Sequence, residues 1–445
     1  YDIVKAQKKI ARDGNVTSFE RYQLKPNCMQ VRFITNLKRI LQQNEQRALL
    51  ISATGTGKTY ASAFAMRELG FKRVLFIVHR ATLAMQAKAS FQRVFGNLVS
   101  MGLVGSGNYE YDKDYVFATV ETLNKDVHLQ QYKPDEFDCI ILDEAHHSLA
   151  NTYQRVMTYF KPRLFLGMTA TPDKRIDNDT NDNIYEIFHH QIAYEIRLQQ
   201  AMEEDLLCPF HYFGITDLSV VQDTKSKNIS EEDFNKLICD ERVKHIIEQS
   251  EYYGYSGDRV KGLIFCSRKQ ECRELSKKFN ELGYRTVALS GEDSEEVRRD
   301  AFERLAMNET DDMDKAKSLD YIFSVDILNE GVDIVEVNQV IMLRPTQSPI
   351  VFIQQLGRGL RKAEGKEYVV ILDFIGNYNN NFMIPVALSG DRSYNADTIR
   401  KYVISGNRTI PGASTIHFDE IAKSKIFKSI DRIRGMKSII RESYI

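Results

Sequence analysis

The chain has 445 residues, 43% of them hydrophobic and 27% charged, a globular composition long enough for two or three domains. Its 60 Lys and Arg offset 61 Asp and Glu to a net charge of −1, so any nucleic acid must be held by a local basic surface rather than by a global field. No apolar run approaches the roughly 20 residues that cross a bilayer. The six cysteines contain no C-x-x-C pair, which favours reduced structural thiols over a disulfide or zinc framework.

The chain begins at Tyr1 without an initiator methionine and reads as a segment of a longer protein. Ile3 to Asp13 has the pattern of a basic helix. An amphipathic helix is expected over Val31 to Leu41, preceded by Phe19, Tyr22 and Gln30. A side-chain amide offers a donor and an acceptor together, which an adenine edge requires, and either aromatic can stack on a base. Gln30 serves equally well as a helix-start residue without a ligand.

The sharpest local signal follows. The apolar strand Leu49-Leu50-Ile51 stops at a loop of small residues, Ser52, Ala53, Thr54, Gly55, Thr56 and Gly57. Lys58 and Thr59 close the loop and open a helix that runs to Leu69 and ends at Gly70. Strand, glycine loop and helix is the context of a phosphate cradle. The glycines let backbone N–H groups turn inward, and the helix adds its positive end. Lys58 reaches β- and γ-phosphates as a point charge, and the Thr59 hydroxyl is placed to ligate Mg2+. Ser52 stands where the strict G-x-x-x-x-G-K-[ST] pattern has its first glycine.

Four further apolar runs read as buried parallel strands, each ending in polar residues where open α/β sheets place their ligands. Arg73–Val78 ends in His79-Arg80, and Tyr115–Ala118 leads to Thr119 and Thr122. Cys139–Leu142 ends in Asp143-Glu144-Ala145-His146-His147, and Leu164–Met168 ends in Thr169-Ala170-Thr171. Two adjacent carboxylates after an apolar strand are costly if buried unpaired. A Mg2+–phosphate complex removes that cost, with Asp143 holding the metal through water and Glu144 deprotonating an attacking water. A solvated acidic strand end is the plainer alternative.

Residues 173–182 are polar and loop-like, 184–205 carry helical patterning, and Cys208–Thr216 reads as a strand. Helical periodicity returns over Glu231–Tyr253, and the domain boundary is placed in this region. A second α/β series has strands at Gly262–Phe265, ending in Ser267, and at Thr286–Leu289, ending in Ser290. Further strands are expected at Tyr321–Val325, Val337–Leu343 and Val369–Phe374. Arg358 and Arg361 lie three apart on one side of a helix that carries Gln354. Their planar forks suit either a phosphate or surface carboxylates. The rest is Asn-rich and then helical, with basic residues from Lys423 to Lys437 that suit either a nucleic acid backbone or solvent. The expected division is 1–215, 216–376 and a helical tail or the start of an accessory domain at 377–445.

From about residue 19 to 376 this ordered set resembles a superfamily 2 helicase or translocase. The resemblance implies two tandem RecA-like α/β domains with ATP bound between them and nucleic acid lying across both. It assigns Gln30 to adenine. Thr54, Gly55, Thr56, Gly57, Lys58 and Thr59 go to the phosphates (Walker A), and Asp143 and Glu144 to the DEAH form of Walker B. Thr59 and Asp143 take Mg2+, Thr169, Thr171 and Gln354 serve coupling, and Gly331 and Asp333 belong to the fifth motif. Arg358 and Arg361 match the arginine fingers of the sixth. His79, Arg80, Thr119, Thr122, Ser267 and Ser290 match positions that touch the nucleic acid backbone, while Glu121 stands where relatives often carry Gln. The wording around His79-Arg80, His146-His147 and Asn329–Asp333 is similar to the DNA-translocating branch. Tyr185–Phe213 resembles bacterial helicases joined to a phospholipase-D-like nuclease. The implied function is an ATP-dependent DNA translocase of the bacterial cytoplasm. A nuclease domain or subunit would lie outside this chain, and no membrane is involved. An RNA helicase and an ATP-switched DNA-binding module are the alternatives.

Overall fold

The computed structural model describes residues 24–105, 107–170, 172, 184–218, 231–309, 312–325, 334–344, 357, 359–376, 381, 383–389, 395–405 and 414–442. The basic N-terminal helix, Phe19, Tyr22, Thr171, Gly331, Asp333, Gln354 and Arg358 lie outside the described residues.

The chain divides into two compact units, residues 1–197 and 198–445. In the first, the strands are β1 (Arg47–Ser52), β2 (Val74–Val78), β3 (Met101–Gly105), β4 (Asn108–Tyr109), β5 (Tyr115–Thr119), β6 (Cys139–Asp143), β7 (Leu164–Thr169) and β8 (Ile192–Ile196). They form one sheet in the order β4-β3-β5-β2-β6-β7-β1-β8. All pairs are parallel except the β3–β4 hairpin at the edge. The continuous apolar runs VLFIV and YVFAT are buried along their full length, as strands covered on both faces must be. Leu75, Ile77, Val116, Ile140 and Leu142 meet Val156, Phe160 and Phe188 in the core on one side of the sheet. Because every central strand runs the same way, Ser52, His79, Thr119, Asp143 and Thr169 come to the same end of the sheet.

The second unit holds β9 (Phe210–Thr216), β10 (Gly262–Phe265), β11 (Thr286–Leu289), β12 (Tyr321–Ser324), β13 (Gln339–Met342), β14 (Val369–Ile375) and β15 (Thr415–Phe418), in the order β11-β12-β10-β13-β14-β9-β15. Two expected boundaries move. β9 pairs with β14 along its whole length, Phe210 opposite Val369 through Thr216 opposite Ile375, so the division falls after residue 197 rather than 215. Backbone pairing, not chain order, decides which sheet owns that strand. The stretch expected as a helical tail or the start of an accessory domain contributes to this sheet where it is described. Thr415–Phe418 adds an edge strand to β9, and Asp419 at the start of the following helix, Glu420–Glu442, accepts bonds from the N–H and hydroxyl of Thr216. Part of that helix's basic character is spent internally. Lys423 pairs with Glu420 at 2.7 Å, and Lys425 donates to the Ile375 carbonyl.

Beside the second core lies a fully buried ion cluster. Arg242, on the helix Asp240–Tyr253, makes a two-pronged contact with Asp217 at 2.9–3.0 Å. It also reaches Glu271 at 3.0 Å and donates to the Leu237 carbonyl. Glu271 in turn accepts from the Ser267 N–H at 2.9 Å.

Candidate active site

The glycine loop between β1 and the following helix has the backbone its sequence requires. Gly55 and Gly57 take φ of 93° and 90°, a region L side chains avoid. Gly57 starts the helix Lys58–Leu69, which has no side-chain cap and no acidic residue in its first turn. An α-helix leaves its first four N–H groups without internal partners, so this end is suited to an anion. Ser52 is accommodated. Its buried hydroxyl lies 2.5 Å from that of Thr56, which donates to the Ala53 carbonyl, so the serine ties the loop to itself.

Gln30 lies against this loop, but its role is partly internal. The helix Cys28–Gln42 opens with a capping box: Asn27 accepts from the Gln30 N–H, and the Gln30 carboxamide oxygen accepts from the Asn27 N–H, each at 2.9 Å. Its amide nitrogen points to the Gly57 carbonyl at 3.4 Å. The helix-start reading is therefore realised, and it places the residue next to the glycine loop.

Opposite the loop, β6 delivers the acidic pair. Glu144 adopts a left-handed conformation, φ 50° and ψ 51°, uncommon for a residue with a side chain. The turn sets its carboxylate 3.6 Å from the Lys58 ammonium and 3.4 Å from His146. Asp143 is pushed up to about 6, chiefly by burial and then by the neighbouring Glu144 charge, with Lys58 pulling the other way. Two carboxylates so placed against one lysine fit a divalent cation. Among the described residues no three His, Cys, Asp or Glu cluster as ligands. A Mg2+ held by Asp143 and the Thr59 hydroxyl would take its remaining ligands from phosphate and water, as this ion ordinarily does. Its chemistry there would be to neutralise phosphate charge.

His146, fully buried, lies 3.2 Å from the Thr169 hydroxyl. The sequence placed these on separate motifs, and only the adjacency of β6 and β7 joins them. A histidine in an acidic run was the available signal.

Of the expected nucleic-acid positions, His79-Arg80 and Thr119 are brought side by side, since Val78 pairs with Thr119. Thr119 and Thr122 share a hydrogen bond of 2.8 Å. His79 lies 5.5 Å from the His147 ring, and Arg80 is exposed at the start of the helix Ala81–Phe95. In the second unit Ser267 follows β10 and Ser290 follows β11, with β12 between those strands. Ser290 is nearly buried, its N–H and hydroxyl both donating to Asp293. Arg361 is half-buried near Lys362, which pairs with Asp205.

Residues 23–174 match the family model for the type III restriction enzyme res subunit, and residues 242–363 match that of the helicase conserved C-terminal domain. The chain carries a superfamily 2 helicase core. The two domains are those of nucleic-acid-dependent ATPases. This helicase core is 27% identical over 381 residues to the putative ATP-dependent helicase IRC3 of Saccharomyces cerevisiae, covering 79% of this chain and 52% of that protein. It is 24% identical over 400 residues to the type I restriction enzyme EcoAI endonuclease subunit of Escherichia coli, covering 81% and 46%. Two solved structures share the fold. A fragment of a putative HsdR subunit of a type I restriction enzyme from Vibrio vulnificus has a TM-score of 0.60 at 21% identity, covering 83% of this chain and 68% of that one. The type ISP restriction-modification enzyme LlaBIII bound to DNA has a TM-score of 0.63 at 19% identity, covering 92% and 32%. The chain spans about half the length of the curated relatives it matches.

Proposed function

We propose that this helicase core hydrolyses ATP, with Mg2+, to translocate on DNA as the motor of a larger restriction or repair protein. The observation that carries the reading is the arrangement of Lys58, Asp143 and Glu144 at the mouth of an uncapped helix, with Lys58 and Glu144 3.6 Å apart. Lys58 neutralises the β- and γ-phosphates. Glu144 orients the attacking water and takes its proton, and the loop N–H groups hold phosphate oxygens. Thr169, bonded to His146, is a candidate relay from this site, with Thr171 and Gln354 assigned to the same coupling by their motifs. Arg358 and Arg361 are assigned to phosphoryl charge, and Gly331 and Asp333 to the nucleotide. The restriction-type relatives favour DNA over RNA and suggest a bacterial cytoplasm and a nuclease domain or subunit as partner. Among the described residues no helix is long and apolar enough to cross a membrane.

The test is ATP turnover alone and with duplex DNA, single-stranded DNA and RNA. Stimulation by DNA is expected, duplex DNA pointing to a restriction-type motor and single strands alone to an unwinding helicase. Stimulation by RNA alone would overturn the DNA assignment. Turnover indifferent to every nucleic acid, in a protein that binds ATP and DNA, would favour a switched binding module. Glu144→Gln should keep ATP binding and lose turnover, whereas Lys58→Ala should lose both; normal hydrolysis by Glu144→Gln would remove the base assignment.

A further inference from the structure

At the β4 edge of the first sheet, three aromatic rings lie nearly parallel. Tyr109 and His128 are 5.1 Å apart at 5°, Tyr109 and Tyr111 are 6.2 Å apart at 22°, and Tyr111 and His128 are 6.2 Å apart at 26°. The set is anchored from below. The Tyr111 hydroxyl lies 2.6 Å from His128 Nδ1, which fixes the imidazole plane. Tyr111 itself meets the core ring of Tyr132 edge-on at 5.9 Å. Tyr109, at the top, remains 52% exposed. Packing does not require a large aromatic side chain to remain this open.

Its location supplies the meaning. Tyr109 pairs with Val104 and Asn108 with Gly105, so Tyr109 sits near the end of the sheet that carries Thr119, and Tyr111 follows it away from that end. Gly105, at φ 135°, runs so close to these threonines that a Cβ there would meet both hydroxyls at 3.1 Å. His128 is on the helix Asp126–Leu129, directly after the turn that carries Thr122. The carboxylates alongside are engaged: Glu110 accepts from the Leu103 N–H and faces Lys88, and Asp126 pairs with Arg155.

We propose that Tyr109, backed by His128 and Tyr111, is a stacking platform for an unpaired nucleobase of the DNA strand whose backbone passes Thr119 and Thr122. The inference rests on the reading of those strand ends as the nucleic-acid face. Every base presents a π-face, so the contact is sequence-tolerant, as a translocating protein requires. The rigid, preformed rings leave little side-chain entropy to lose on binding.

The experiment is fluorescence anisotropy of the whole chain on labelled single-stranded DNA, at several salt concentrations, with wild type, Tyr109→Ala, Tyr109→Phe and Arg80→Ala. Tyr109→Ala should bind about five- to 150-fold more weakly, the range for loss of one base stack. Its salt dependence should match wild type, and Tyr109→Phe should bind normally. A fully abasic strand of equal length should bind wild type and Tyr109→Ala alike. Arg80→Ala should reduce the salt slope by about one. If Tyr109→Ala binds normally while Arg80→Ala is impaired, the platform is refuted and the face stands. If neither variant weakens binding, the reading of the face fails and takes the platform with it. A Tyr109 dependence seen on RNA of the same sequence but not on DNA would overturn the choice of strand.

Discussion

Asp373→Asn should change how the stability of the second unit depends on pH. Asp373 lies inside β14, with its carboxylate accepting from the Tyr212 hydroxyl at 2.6 Å. Burial pushes its pKa up to about 7, with the tyrosine bond pulling modestly the other way. The ordinary aspartate value is about 3.9, which the unfolded chain recovers. Between those values the folded protein holds a proton that the unfolded chain releases, so stability falls as pH rises through this window. The full penalty, above pH 7, is on the order of 4 kcal/mol, about half of it developing between pH 5.5 and 8.5. Asparagine keeps an acceptor for Tyr212 and cannot ionise. Urea unfolding followed by circular dichroism should show wild type losing about 2 kcal/mol relative to Asp373→Asn between pH 5.5 and 8.5. Parallel pH profiles for the two proteins would refute the claim that this carboxyl is desolvated.

Arg242→Ala leaves Asp217 and Glu271 buried without their cation and should cost about 3–5 kcal/mol in the same unfolding assay; a loss under about 1 kcal/mol would mean that water reaches the cluster. Gly57→Ala forces a side chain to φ 90°, with its Cβ 3.2 Å from the Gln30 amide nitrogen. Titration with a fluorescent ATP analogue should show affinity reduced by about tenfold or more, since about 1–3 kcal/mol of backbone strain falls on the cradle. Gln30→Ala removes one half of the capping box, the bond from the Asn27 N–H, and should lower the thermal midpoint modestly, one such hydrogen bond contributing about 0.5–1.5 kcal/mol. If Gln30 also reads the base, the variant loses its preference for ATP over GTP; an unchanged preference confines Gln30 to the cap.

The first sheet was largely legible because its central strands are unbroken apolar runs closed by polar residues, the pattern of strands buried on both faces. Met101–Gly105 was missed: two glycines in five residues dilute the signal, and its place beside β5 depends on a partner rather than on propensity. Ile192–Ile196, inside a stretch read as helical, lies between two short helices, Ile184–Ile187 and Leu198–Glu203, whose patterning masks it. In the candidate site, the approach of Lys58 to Glu144 was readable because a phosphate-site reading fixes residue type and local spacing together. The His146–Thr169 contact, the Gln30 cap against Gly57 and the Arg242 cluster were not, because each joins residues that only strand order or a helix start brings together.

β9 is the first strand of its sheet in chain order, yet it lies between two that come much later, β14 and β15. During synthesis Phe210–Thr216 emerges about 150 residues before its nearer partner, a wait on the order of ten seconds or longer at about 5–20 residues per second. For that interval an uncharged, aromatic-rich strand has neither neighbour, the kind of segment that pairs with other chains when left open. The nascent second unit is therefore exposed to misassembly until Val369–Ile375 arrives, and its yield should depend on chaperone supply and elongation speed.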